Sequence, residues 1–395
     1  MGVTIGFLRL LADPPREVRT ARLGLLCNQA TVGPGWRPLW PELARRFPGQ
    51  VRALFSPQHG WWGEKQDNMV ASADAMDPVT GLPVFSLYGE RLQPTAASLD
   101  LIDLLLVDLP DVGTRVYTFA ATMAYAMQAA ARAGKKVLVL DRPNPIGGLQ
   151  VEGNLLQPEM ASIVGPYPLP MRHGFTLGEL ARYYNDVGQI GCELAVLPVL
   201  GWDRAHYFDA TGLPWVLPSP NLPTLDTAIV YPGQVLLEGT NLSEGRGTTR
   251  PFELCGAPFI DPHAVMAELP KRLDLPGVIF RATWFQPTFH KWAGEVCGGW
   301  QLHVTDRRAY QPYVTTLALL QVILELYPDH FQWRQPPYEY VHDRLPFDLL
   351  TGNPAIREGL AARVPVPVLA AQWQAELADF LNVRQDYLLY DNCAK

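Results

Sequence analysis

Short apolar runs, each closed by a polar segment rich in glycine, proline or amides, recur through the first half of the chain. Segments 22–27, 51–55, 82–87, 104–107 and 137–140 read as strands, and 193–200 reads as a further one. Between two of them, 119–133 is rich in Ala and Met, contains no proline and ends at Gly134, which predicts a buried helix. Thr176 and Glu179 stand at capping-box spacing ahead of a second helix over 177–186. Strands alternating with helices predict an α/β fold with a Rossmann-like parallel sheet.

The second half has a different rhythm. Residues 201–232 are loop-rich, with three prolines between Trp215 and Thr224, and read as an ordered crossing that lines a cleft. Beyond it, helices are expected around 263–273, 313–327 and 369–381, with strands at 278–283 and 299–305. This predicts a smaller α+β C-terminal domain. The expected division is 1–235 and 236–395, with a cleft between the two.

Length and composition narrow the function. A chain of 395 residues with 48% hydrophobic and 18% charged residues is globular and has surface for two cores. A net charge of −7 argues against nucleic acid, and no apolar run is long enough for a membrane span. Five scattered cysteines, Cys27, Cys192, Cys255, Cys297 and Cys393, form no CxxC pair. Together with an N-terminus that lacks signal-peptide character, they give a cytoplasmic expectation.

Several chemistries lack their motifs. GxGxxG does not follow the first strand, GxxxxGK[ST] and GxSxG do not occur, and the eight histidines never fall into HExxH or HxH spacing. No cofactor and no metal are expected. What remains is carboxylates, amides, arginines and aromatics at the strand ends, the equipment of a carbohydrate site, where amides bind hydroxyls and acetamides and aromatic faces stack on sugar rings.

The richest strand end is Ser56-Pro57-Gln58-His59-Gly60-Trp61-Trp62-Gly63-Glu64. Glu64 beside two tryptophans reads either as a solvated loop carboxylate or as an acid raised by apolar neighbours. His59 reads as a group that polarises substrate or one that fixes the loop. Glu244, flanked by Arg246 and two glycines, reads as an ionised base or as one arm of a structural ion pair.

Six motifs carry a resemblance. They are Ser56-Pro57-Gln58-His59-Gly60, Pro83-Val84-Phe85-Ser86-Leu87-Tyr88-Gly89, Asp111-Val112-Gly113-Thr114-Arg115-Val116-Tyr117-Thr118, Leu140-Asp141-Arg142-Pro143-Asn144-Pro145, Leu217-Pro218-Ser219-Pro220-Asn221 and the run from Glu238 to Thr249. In these the chain resembles the exo-β-N-acetylmuramidases of peptidoglycan turnover, a glycoside hydrolase family long catalogued as a domain of unknown function. The resemblance implies an enzyme releasing terminal N-acetylmuramic acid from the non-reducing end of peptidoglycan fragments in cell-wall recycling. Its ligand would be a muropeptide or another amino sugar. The lactyl carboxylate would need an arginine fork, with Arg115 and Arg246 as candidates. The acetamide and hydroxyls would suit Asn28, Asn144, Asn221, Asn241, Tyr117 and Gln58. The family commonly carries Glu where this chain has Gln58, and an amide cannot donate a proton as an acid does. The expected catalytic set is therefore Glu64, His59 and Glu244. The same departure leaves open a non-catalytic amino-sugar-binding protein or a hydrolase for another glycoside.

Overall fold

The computed structural model describes residues 2–390; Cys393 lies outside the described residues. Twelve strands occur among them. In chain order they are β1 (Leu23–Leu26), β2 (Val51–Ser56), β3 (Ala75–Met76), β4 (Pro83–Ser86), β5 (Leu104–Val107) and β6 (Lys136–Leu140). There follow β7 (Glu152–Leu155), β8 (Pro170–Arg172), β9 (Leu194–Leu197), β10 (Leu254–Ala257), β11 (Val278–Phe285) and β12 (Cys297–Val304). Seven form one sheet in the order β3-β4-β2-β1-β5-β6-β9, parallel throughout except for the short edge strand β3. β10, β12 and β11 make a small antiparallel sheet, and β7–β8 a hairpin. The α/β expectation and the antiparallel, helix-rich second half therefore describe the molecule.

The continuous apolar runs follow from a sheet covered on both faces. Along β5, Leu104 and Leu106 enter one core with Leu23, Leu25, Leu138 and Leu140, beneath the helices Gly6–Ala12 and Leu39–Arg46. Leu105 and Val107 point the other way, into a core shared with Leu26, Phe55 and the helices Thr118–Arg132 and Leu177–Val187. That second core runs on without a break into the helices Leu225–Gln234 and Pro312–Leu326. The expected division at 235/236 falls where the helix Leu225–Gln234 passes into the 3-10 turn Val235–Gly239. The helix expected at 369–381 is two helices, Val366–Gln372 and Gln374–Arg384.

The strand order reverses between β1 and β5, the place where a doubly wound sheet usually opens its ligand crevice. Here the proline-rich crossing fills it. Asn28 Nδ2 donates to the Pro218 carbonyl (2.9 Å), Gln29 Nε2 donates to that of Leu217 (2.8 Å), and Arg142 pairs with Asp108 in the floor. At the end of β6, Asp141 accepts from Thr176 Oγ1, the Gly178 amide and Tyr390 Oη (2.7, 2.7 and 2.5 Å). These polar strand ends stitch the fold and displace the ligand space to one side.

The capping box forms as its spacing predicts, with the Thr176 amide donating to Glu179 Oε2 at 2.9 Å. Glu179 does more than cap: its Oε1 takes Arg204 Nη1 (2.5 Å) and the Leu389 amide (2.8 Å), with both ionic side chains fully buried. Removing the carboxylate would strand a buried guanidinium and untie the C-terminal segment. Glu179→Ala is therefore expected to cost about 3–5 kcal/mol in denaturant unfolding; a loss under about 1 kcal/mol would show the pair to be dispensable.

Candidate active site

The turn after β2 is built tightly. His59 and Gly60 both take positive φ (80° and 85°), and Gly63 follows at 66°. For His59 such a backbone is unfavourable and is retained only when its surroundings impose it. Glu64 is part of that imposition. Its carboxylate accepts the Trp62 amide (3.1 Å) and packs on Gly60, where a Cβ would collide with it. Trp61 is buried against Trp40, and both indoles donate to Asp77 (3.2 and 3.3 Å). Glu64 is thus a half-exposed turn brace, and it is not among the residues lining the cavity next to it.

That cavity, about 450 Å3, lies where the loops after β2 and β5 meet the C-terminal half. From the first half it takes Gln58, His59, Asn68, Tyr117 and Thr118, and from the crossing Ser219 and Asn221. From the second half come Tyr231, Glu238, Arg246, Phe252, Tyr338 and Glu339.

Glu339 sits on a two-residue turn. Tyr338 and Val341 exchange both backbone hydrogen bonds at 2.9 Å, and Glu339 and Tyr340 between them have φ of 45° and 65°. This is the geometry of a type I′ turn, normally occupied by Asn and Gly. Placing Glu-Tyr there stores strain of the kind that marks working sites. The turn delivers a buried carboxyl whose Oε2 accepts from Tyr88 Oη (2.6 Å) and whose Oε1 accepts from Gln58 Nε2 (3.2 Å). Thr118 Oγ1 donates to Gln58 Oε1 (2.7 Å) and fixes which way the amide faces. No cation contacts this carboxyl among the described residues. Burial, aided by the charge of Glu238, pushes it up to about 7 against the hydrogen bonds from Tyr88 and Gln58.

Glu238 is its opposite. It is equally buried, but Arg246 Nη2 lies 2.8 Å from its Oε1, while Tyr338 Oη (2.7 Å) and Asn68 Nδ2 (3.0 Å) donate to Oε2. Both of its oxygens are thus engaged, one by a guanidinium and the other by two neutral donors. Arg246 Nη1 is shared with Glu244 (2.7 Å), and its Nε is buried without a partner. Burial alone would raise Glu244, but Lys291 (2.9 Å), Arg246 and His290 (3.2 Å) hold it well below the usual carboxylate range. Glu244 lies behind the cavity wall and orients Arg246. The His59 ring has Nδ1 2.8 Å from the Lys65 carbonyl, so Nδ1 carries the proton and Nε2 is left to accept. Burial lowers His59 to about 4, so the ring is neutral at physiological pH.

Of the residues expected at the site, Gln58, His59, Tyr117, Asn221 and Arg246 converge on the cavity. Asn221 is cross-tied to Gln66 through both its side-chain atoms (2.8 and 3.3 Å). The others have structural partners elsewhere. Asn28 braces the crossing, and Asn144 Nδ2 donates to the Phe175 carbonyl (2.8 Å). Asn241 Nδ2 donates to that of His330 (2.8 Å), and Arg115 is buried in the interior with Nη2 on the Leu350 carbonyl (2.6 Å). Arg115 therefore offers no fork to a ligand here. Glu238 and Glu339 were not singled out by the sequence reading. Glu238 heads the longest motif, and Glu339 stands between two tyrosines just after Pro336-Pro337; both signals are visible only in retrospect. Among the described residues, no cluster of His, Cys, Asp or Glu is suited to a metal ion, and no helix is long and apolar enough to cross a membrane.

The raised Glu339 carboxyl has a consequence for stability. An ordinary glutamate titrates near 4.5, so between about pH 4.5 and 7 the folded protein holds a proton that the unfolded chain has released. Stability contributed by this group is then lost as pH rises through that window, by roughly 3 kcal/mol in all. Denaturant unfolding at pH 5 and pH 8 should show the wild type losing stability relative to Glu339→Gln. Identical pH dependence in the two proteins would place the Glu339 pKa near its ordinary value.

Comparison with known proteins adds an independent line. Residues 23–226 match the family model described as exo-β-N-acetylmuramidase NamZ, N-terminal, and residues 229–390 match its C-terminal counterpart. The chain is 43% identical over 388 residues to the peptidoglycan β-N-acetylmuramidase NamZ of Bacillus subtilis (strain 168), covering 98% of this chain and 91% of that one. Two crystal structures of DUF1343 family proteins from Bacteroides fragilis NCTC 9343 are similar in fold. One has a TM-score of 0.86 at 32% identity, covering 98% of this chain and 99% of the other. The second has a TM-score of 0.73 at 27% identity, covering 99% and 100%.

Proposed function

The chain belongs to the exo-β-N-acetylmuramidase NamZ family of glycoside hydrolases, and from that premise we propose that Glu339 and Glu238 are its catalytic carboxylates. In this reading the enzyme releases N-acetylmuramic acid from the non-reducing end of peptidoglycan fragments. One observation carries the assignment: a single cavity holds two buried glutamates with opposed environments, Glu339 without a cation and raised to about 7, Glu238 fixed on Arg246. Glycoside hydrolysis needs such a pair, an acid for the leaving oxygen and an ionised carboxylate toward the anomeric carbon.

Glu339 protonates the glycosidic oxygen as the bond breaks. Glu238 stabilises the positive charge that develops on the sugar, as nucleophile or as the base that activates water. Tyr88 and Gln58 hold the Glu339 carboxyl in place, and Tyr338 ties the two glutamates together by donating to Glu238 from the residue next to Glu339. His59 Nε2 accepts a sugar hydroxyl. Asn68, Asn221 and the unpartnered Arg246 Nε face the acetamide and lactyl groups. The role expected of Glu64 passes to Glu339, because Glu64 braces the turn from outside the cavity. We assign the reaction to the cytoplasm as part of the same proposal; the four described cysteines, all buried and free, support a reducing setting.

Leaving-group chemistry tests the assignment. On a natural disaccharide with a poor leaving group, Glu339→Gln should lose about 10²–10⁴-fold in kcat. On an N-acetylmuramide of an acidic phenol, which departs without a proton, the loss in cleavage should shrink markedly. Glu238→Gln should be crippled on both, and Glu64→Gln should stay within a few-fold of wild type on both. Undiminished turnover of the disaccharide by Glu339→Gln, or abolition by Glu64→Gln in a folded protein, would return the acid to the β2 loop.

A further inference from the structure

A second concavity, about 1000 Å3, adjoins the cleft and has no part in the bond-breaking chemistry above. Asn241, His290, Lys291, Trp292, Trp333 and Arg334 are its principal walls. It shares structure with the cleft. The Arg334 guanidinium lies 5.5 Å from the ring centre of Tyr338, and its amide donates to the Gly239 carbonyl (2.9 Å), next to Glu238. Lys291 and His290 bind Glu244, which in turn holds Arg246 (2.9, 3.2 and 2.7 Å). His290 Nε2 is also 3.7 Å from Asp67, which precedes the cleft residue Asn68.

Charge and shape together limit what this groove accepts. Glu238 and Glu244, the carboxylates of the shared wall, are already engaged by Arg246, Lys291 and His290. That leaves Arg334 as surplus positive charge. No carboxylate lies within ion-pair distance of it among the described residues; its Nη1 is covered and unpartnered, while the side chain as a whole is only partly buried, so the rest of the guanidinium is open to an acceptor from the groove. The excess is felt nearby: burial lowers the Lys291 ammonium, and the charge of Arg334 adds to that. Trp333 is half-buried, its indole edge-on to Phe331 (4.8 Å between ring centres) and tilted against Phe347 (4.5 Å). A rigidly held indole beside an unpaired guanidinium and the exposed amides of Gln332 and Gln335 suits a sugar ring that bears a carboxylate.

We propose that this groove binds the leaving-group side of the substrate and recognises a carboxylate-bearing amino sugar there, with Arg334 on the carboxylate and Trp333 against the ring. The inference rests on the β-N-acetylmuramidase reading. In an alternating strand the unit after the scissile bond is N-acetylglucosamine, and the one after that again carries a lactyl carboxylate. A carboxylate site set apart from the cleft suits recognition of a sugar beyond the first leaving-group unit. The enzyme then favours strand ends over isolated disaccharides.

The test compares kcat/KM on the disaccharide N-acetylmuramyl-N-acetylglucosamine with that on the corresponding tetrasaccharide. Wild type should prefer the tetrasaccharide. Arg334→Gln should cut the tetrasaccharide-to-disaccharide ratio about tenfold, the order of one charge-assisted contact, and Gln335→Glu, an exposed change that adds a repelling carboxylate, should cut it as well. A tetrasaccharide with an alcohol in place of its inner lactyl carboxylate should lose the preference in wild type and lose nothing further in Arg334→Gln. An unchanged ratio in Arg334→Gln, or equal use of the native and alcohol forms by wild type, overturns the proposal. If neither substrate is cleaved, the functional reading has failed and the groove is judged by calorimetry with the same two tetrasaccharides. Tighter binding of the carboxylate form by wild type, abolished in Arg334→Gln, supports it; equal affinities overturn it.

Discussion

Arg246 organises the chemistry of this protein by the carboxylates it reaches and the one it does not. Two of its donor arms are taken by Glu238 and Glu244, and Glu244 is also held by Lys291 and His290. Glu339 lies in the same cavity without a cation of its own. Burying three carboxylates together would be prohibitive if all were treated alike. Because the guanidinium serves two, the third can be neutral at little cost, and a neutral carboxyl beside a fixed carboxylate is what glycoside hydrolysis needs. Electrostatic division of labour thus follows from one side chain's reach.

The backbone makes a matching investment. Both of these cavity-lining loops hold non-glycine residues at positive φ, His59 after β2 and the Glu339–Tyr340 pair in its tight turn. Each turn is held by specific contacts. Glu64 and the Trp61–Trp40 pair secure the first, and the Tyr338–Val341 bridge with the Tyr340–Tyr88 ring contact (5.2 Å) secures the second. The two turns then meet through the Gln58–Glu339 hydrogen bond. Strain at each is sustained because the surrounding packing leaves few alternatives.

Much of the first half of the fold was legible in the chain because it obeys local rules. Apolar runs placed the parallel strands to within a residue or two, except that the run 193–200 extends three residues past β9, and Thr176 with Glu179 marked the capping box. Part of the site was legible because it lies on that regular framework: Gln58 and His59 follow β2, and Tyr117 leads into the helix after β5. Asn28, Asn144 and Arg115 look the same in sequence, being polar and near strand ends, yet their partners are backbone carbonyls brought in from residues 218, 175 and 350. No pattern of spacing distinguishes an amide that will face a ligand from one that will close a distant loop. Glu339 was hidden for the converse reason. It meets Gln58 across 281 positions of sequence, and its acidity comes from burial, which tertiary packing creates.

Gln58 gains a physical meaning from that meeting. A carboxyl at this position would stand beside Glu339, and two such groups share a proton and titrate as a pair. The amide removes the coupling. Thr118 fixes its oxygen, so its NH2 group points to Glu339 and the two cannot exchange roles. A hydrogen bond from that amide favours the ionised carboxyl, while burial and the charge of Glu238 favour the protonated one, and the balance leaves Glu339 near neutrality. With an amide here Glu339 has no second carboxyl at its Oε1, and in the proposed mechanism it is poised to give its proton at physiological pH and regain it afterwards.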